Sequence, residues 1–206
     1  MPRVSVGIYS PHPSIQYARN VLAKLERTSG KTVDEWIKVT KNSGLPTEKE
    51  RQEWLQLEHK LGSNTSWWLA EMSFGRGREG IEEAAYLAAA PGYVEAMYAA
   101  KPALKPLHDR LIVLGRSLGK DVKVCPCETI VPLYRNHVIA QIKPATKSRI
   151  DFGLALGETP GKGRLVETGG FAKKDRITHK IAIGSEGDID PFVARWLKVA
   201  YDRDAN

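Results

Sequence analysis

The apolar pattern of this chain changes its period past residue 100, and that change limits the fold more than any other feature. Through Leu104, Leu107, Leu111, Leu114 and Leu118 the apolar residues recur at spacings of three and four. Beyond Gly119 they fall into short runs rich in Val, Ile and Tyr. The first spacing places side chains on one face of a helix, and the second suits strands. The order is helices, then a meander of strands, then a closing helix. That order predicts an α+β protein: an N-terminal helical bundle followed by an antiparallel sheet flanked by two helices.

The helical part carries its own punctuation. Pro11 and Pro13 end an extended arm, and Ser14 is placed to cap a helix with Ile15, Ala18, Leu22 and Leu25 on one face. Gly30 closes it. Thr32 with Glu35 and Thr47 with Glu50 spell two capping boxes, each ahead of an apolar helical stripe. Gly62 is expected to stop the second of these helices, and Ser63 or Asn64 to start a fourth. Trp67 and Trp68 are adjacent, so both cannot point inward; one is expected at the surface, as a mark of a docking face. An alanine-rich stretch from Ile81 to Ala100, broken at Pro91-Gly92, reads as two short connecting helices. The expected domains are therefore residues 1–75 (helical), 76–101 (Ala-rich connector) and 102–206 (α+β).

In the second half, strands are expected at Val122–Cys125, Glu128–Tyr134, His137–Lys143, Arg149–Leu156 and Arg176–Ile183. Arg135-Asn136 reads as a two-residue hairpin turn with Asn in a left-handed backbone. Gly157 to Gly170 holds five glycines and reads as a long mobile loop. Asp190, followed by Pro191, is placed to cap a last helix bearing Phe192, Val193, Trp196, Leu197 and Ala200.

Charge divides along the same line. Residues 1–100 hold 12 Lys+Arg and 12 Asp+Glu, whereas residues 101–206 hold 19 and 12, so the whole net charge of +7 lies in the second half. Residues 116–180 alone hold 13 basic and 6 acidic residues. Such a segment points to a polyanionic partner, nucleic acid first among them. If the strands are neighbours, Lys143, Arg149, Arg176 and Lys180 can share one surface, with Lys147 in the turn beside it. Lys162 and Arg164 add a basic Gly-rich loop able to touch phosphates. No apolar run is long enough to cross a membrane, and Met1 to Ile8 is too short in apolar residues for a secretory signal. With two cysteines and no disulfide scaffold, a cytoplasmic setting is expected.

Several short motifs match catalytic or cofactor patterns and lack their context. Gly75-Arg76-Gly77-Arg78-Glu79-Gly80 spells G-x-G-x-x-G, but a helix and not a strand precedes it, so a basic linker is the better reading. Gly115-Arg116-Ser117-Leu118-Gly119 spells G-x-S-x-G at the end of a helix, the reverse of a nucleophile elbow. Cys125-Pro126-Cys127 offers two thiols where zinc takes four ligands, so buried thiols and no metal are expected. His179 shares its predicted strand face with Ile177, Ile181 and Ile183 and reads as a hydrogen-bonded core or edge residue. No catalytic set and no cofactor site is expected.

Two stretches resemble known families. Ser29-Gly30-Lys31, Asp34-Glu35-Trp36, Ser43-Gly44-Leu45, Trp54-Leu55 and Glu58-His59-Lys60-Leu61-Gly62 resemble a small Trp-rich bacterial helical domain of unknown function. Tyr134, Arg176-Ile177-Thr178-His179 and Asp190-Pro191 with Trp196-Leu197 and Ala200-Tyr201 resemble a second domain of unknown function. That domain is similar to compact α+β domains of the YdhG and YjbR kind. The resemblance implies a nucleic-acid role and carries over no catalytic residue. The expected function is thus non-catalytic binding, with nucleic acid or another polyanion as the partner. The alternatives are a module for a protein partner or a small anion, and an enzyme of undetected type.

Overall fold

A computed structural model describes residues 6–205; residues 1–5, most of the stretch read against a secretory signal, lie outside it. The chain divides into two compact units. One is Pro11–Ala89; the other runs from Ala90 and takes in the described residues before Pro11.

The first unit is built from α1 (Pro13–Ser29), α2 (Val33–Asn42), α3 (Glu48–His59) and α4 (Ser63–Ser73). Both predicted capping boxes form. Thr32 accepts the Glu35 N–H while Glu35 accepts the Thr32 N–H, and Thr47 and Glu50 repeat the exchange. Gly30 closes α1 with φ 69°. The start of α1 differs from expectation: His12 is the cap, its Nδ1 accepting the Ser14 N–H, and Pro13 takes the first helical position. Proline suits that position because its missing N–H has no helical partner there anyway. Gly62 does not stop α3. Lys60 turns left-handed at φ 55° instead, and Gly62 is extended as the cap of α4. Trp36, Leu55, Trp68, Leu69 and Met72 pack with Leu22 and Leu25 in one core. Trp67 is 47% exposed, so it is the outward member of the pair.

The alanine-rich stretch is not two helices. It is one, α5 (Glu83–Ala99), with Pro91 inside it. Proline removes one helical hydrogen bond and crowds the preceding turn, at a cost of roughly 3 kcal/mol. Burial offsets that cost: Tyr86, Ala90, Val94 and Tyr98 repeat every four residues and are each at most 5% exposed.

The second unit contains α6 (Lys105–Arg116), a six-stranded sheet and α7 (Pro191–Arg203). The strands are β1 (Lys123–Val124), β2 (Val131–Tyr134), β3 (Val138–Pro144), β4 (Ile150–Leu154), β5 (Val166–Glu167) and β6 (His179–Ile183). Their order across the sheet is β1-β2-β3-β4-β6-β5, and every pairing is antiparallel. The α+β class and the flanking helices are as the sequence predicts. β5 is the addition: both its residues are exposed, so no alternation announces it.

Register fixes the two faces of the sheet. Ile142, Phe152 and Ile181 form one cross-strand row, Ala140, Leu154 and His179 a second, and Pro144, Ile150 and Ile183 a third. These rows are buried with Leu107, Leu111 and Ile112 of α6 and Val193, Leu197 and Ala200 of α7. Gly115 of α6 lies so close to the sheet that a Cβ there would stand 2.6 Å from the Leu133 side chain. The opposite face carries Gln141, Gly153 and Lys180 in one row and Lys143, Asp151 and Ala182 in the next. Among the described residues no helix is long and apolar enough to cross a membrane.

Candidate nucleic-acid interface

The seven basic residues singled out in the sequence fall into separate places on the second unit. Asp151 gathers three of them. Its Oδ1 accepts Arg149 Nε at 2.9 Å, its Oδ2 accepts Lys180 Nζ at 2.8 Å, and Lys143 is its cross-strand neighbour. Burial raises the Asp151 carboxyl, but Lys180 and Arg149 outweigh it and hold the group below its usual range. Lys147 is exposed in the turn between β3 and β4. Arg176 does not join this group. It donates to the Val138 carbonyl at 3.1 Å and pairs with Asp204. Val138 lies five residues from Lys143 along β3, about 17 Å at strand rise. Ile177 likewise leaves the predicted strand face: it packs over Gly153, where a Cβ would stand 2.7 Å from it. The alternation breaks because Thr178 is tied inward, its Oγ1 accepting the Leu156 N–H.

The Gly157–Gly170 stretch, expected as a long mobile loop, makes contacts at several points. The Gly161 N–H donates to Glu167 at 2.8 Å, and Lys162 bridges to Leu165. Arg164 donates to Asp190 at 2.6 Å and lies over the Phe192 ring. Lys162 is exposed at the tip of this bridge. His179 is buried and satisfied. Its Nε2 donates to the Thr159 carbonyl at 2.7 Å, which leaves Nδ1 to accept from Thr178 Oγ1 at 2.8 Å.

A cleft of about 660 Å³ opens beside these elements, with Phe171, Lys174, Asp175, Arg176 and Arg203 on its walls. A smaller one of about 290 Å³ adjoins it, lined by Glu158, Thr159, Glu167 and His179, and Phe171 borders both. The loop that carries Phe171 is closed at its neck. The Thr168 N–H donates to the Thr178 carbonyl at 2.9 Å, and the Asp175 N–H to the Gly170 carbonyl at 2.8 Å. Gly170 is required there, since a Cβ would stand 2.5 Å from the Ile177 carbonyl. The loop thus presents Phe171 at 51% exposure on a braced support. Arg203 reaches in from the end of α7, its Nη1 donating to Thr159 Oγ1 at 2.7 Å.

The family model of a domain of unknown function, DUF5655, matches residues 94–204, more than half of the chain. The chain belongs to the DUF5655 family. No curated protein and no solved structure matches it. The DUF5655 match begins within α5 and covers the whole sheet, both flanking helices and the cleft.

Sequence reasoning missed Phe171, Lys173, Lys174 and Arg203. The first three had a signal, an aromatic followed within three residues by two lysines after Gly169-Gly170. Arg203 had none, because it meets Thr159 from 44 residues away.

The residues of the short catalytic-type motifs in the DUF5655 domain have the following surroundings. Ser117 ends α6 and donates its hydroxyl to the Leu114 carbonyl. Cys125 is buried and its thiol is pushed up to about 12, by burial first and the neighbouring Cys127 second. Burial also raises Cys127. Among the described residues no three His, Cys, Asp or Glu side chains are grouped to hold a metal ion. In the first unit, the G-x-G-x-x-G segment follows helix α4, and its arginines are engaged: Arg76 with Glu48, Arg78 with Asp34 and Glu82.

Proposed function

We propose that the DUF5655 domain of this chain is a non-catalytic nucleic-acid-binding module. One observation carries the reading. Lys143, Lys147, Lys162, Lys173 and Lys174 are exposed, and among the described residues none has a carboxylate within ion-pair distance. Four aspartates of the domain are already engaged by other cations: Asp151 by Arg149 and Lys180, Asp188 and Asp190 by Arg164, Asp204 by Arg176. Arginines hold most of these aspartates, and the five lysines stand outward without a carboxylate of their own. Point charges on flexible stems suit a phosphate backbone without reading its sequence. The kinship of residues 24–72 with a Trp-rich helical family, and of the second domain with YdhG- and YjbR-type domains, is part of this reading and rests on sequence motifs alone.

Phosphate binding is mainly counterion release, so affinity falls steeply with salt. Four duplex phosphate contacts give a log–log slope of about −3.6. Fluorescence anisotropy with the whole chain across a salt series measures it. Replacing Lys143 and Lys147 together with Gln is expected to weaken binding to all sequences alike and to flatten the slope by about 2. No binding to DNA or RNA at micromolar protein in low salt overturns the proposal.

A further inference from the structure

We infer that the cleft beside Phe171 receives one unpaired nucleotide, its base stacked on the Phe171 ring and its phosphate held by Lys174 and Arg203. The inference rests on the nucleic-acid reading and adds to it a preference for unpaired strands.

Three features converge. The first is the ring. The Phe171 ring is half exposed, and the backbone of the loop that carries it is braced. Thr168 and Thr178 tie its neck, and the Gly170 carbonyl accepts the N–H groups of Lys173 and Asp175. Stacking on a presented aromatic face is open to every base and closed to a base inside a duplex.

The second is the distribution of charge around the ring. Of the three cations lining the cleft, Arg176 is committed to Asp204 and to the Val138 carbonyl. Among the described residues Lys174 has no acid partner, and Arg203 has no carboxylate partner but donates to the neutral Thr159 hydroxyl. Gly157 leaves room for that guanidinium: a Cβ there would stand 3.1 Å from Arg203 Nη2. Asp175 is the one acidic residue on the cleft wall. It repels a phosphate from its own side and offers an acceptor to a base amino group.

The third is size. A volume of about 660 Å³ falls in the range of sites for small organic ligands, and it holds a base with its sugar and phosphate. The adjoining 290 Å³ space carries Glu158 and Glu167 on its walls, which disfavours a second phosphate there.

The test uses the whole chain and four probes at one low salt concentration. They are a labelled 12-nucleotide single strand, a duplex of the same length, an abasic strand of the same length, and AMP. The single strand is expected to bind about tenfold tighter than the duplex or the abasic strand, and far tighter than AMP. Phe171→Ala is expected to remove that tenfold advantage and to leave duplex and abasic binding unchanged, while Phe171→Tyr retains it. Arg203→Gln is expected to weaken the single strand more than the duplex. Equal binding of single, abasic and duplex probes, indifferent to Phe171→Ala, removes the cleft inference and leaves the nucleic-acid reading standing. AMP bound as tightly as the strand assigns the cleft to a free nucleotide and also removes it. Failure of every probe to bind removes both.

Discussion

His108 lies in the core of the DUF5655 domain with no exposed surface, and Tyr98 shares a hydrogen bond of 3.0 Å with its Nδ1. Its Nε2 is buried without a partner among the described residues. Burial, with Lys105 second, lowers its pKa to about 3. The unfolded chain takes up that proton near pH 6.5 and the folded one does not. Stability is therefore full above pH 6.5 and falls as pH drops from there toward 3, at up to about 1.4 kcal/mol per pH unit. Thermal melts between pH 7 and pH 5 are expected to show the decline. His108→Gln keeps a polar side chain that does not titrate, so it is expected to flatten the decline. A wild-type melt that stays level across that window contradicts this account of the buried imidazole.

At the scale of elements, α5 shows how packing overrides a local rule. Pro91-Gly92 is a strong breaker in sequence, yet the helix runs through it because a single stripe, Tyr86, Ala90, Val94 and Tyr98, is buried before and after the break. Pro91→Ala restores a hydrogen bond and relieves the ring. It is expected to stabilise the chain by roughly 1–3 kcal/mol, read as a rise in the denaturant midpoint without change in slope. An unchanged or lowered midpoint counts against Pro91 as an unfavourable residue tolerated for its surroundings. The same contrast explains what is legible in the sequence. The capping boxes at Thr32 and Thr47 are contacts between residues three apart, so the sequence contains all of each. The left-handed turn at Lys60 is set by how α3 must meet α4, and no residue type marks it.

For the whole molecule, the sequence reveals the fold class and where the excess charge lies, but not which cations stay free. Lys143, Arg149 and Lys180 meet because β3, β4 and β6 are neighbours, and Arg176 leaves them because a distant aspartate captures it. That aspartate, Asp204, is 3% exposed and closes the domain. Its Oδ2 accepts the N–H groups of Asn136 and His137 at 2.8 and 2.7 Å, and its Oδ1 faces His137 Nδ1 and Arg176. The β2–β3 turn is thereby held from the end of α7, without the left-handed Asn136 that the sequence predicts. Burial raises the Asp204 carboxyl, but the bonds from His137, with Arg176 and Asn136, outweigh it and hold the group below its ordinary range. Its contribution is present above pH 4 and is lost as pH falls through the folded value. Asp204→Ala removes the acceptor shared by the Asn136 and His137 N–H groups and is expected to cost about 2 kcal/mol by equilibrium unfolding. A loss under 1 kcal/mol would place the closure elsewhere.

Asp204 also sets a clock. The hairpin it secures joins neighbouring strands, yet its anchor lies 68 residues further along the chain. At a synthesis rate of 5–20 residues per second, the turn waits about 3–14 s for its anchor to be made. Throughout that interval β2 and β3 are available for pairing while their turn is unpinned. A nascent chain of this domain therefore passes through a stage in which its most local piece of sheet is complete in sequence and unfinished in structure. That stage is the natural point for a chaperone to hold it or for a neighbouring chain to capture it.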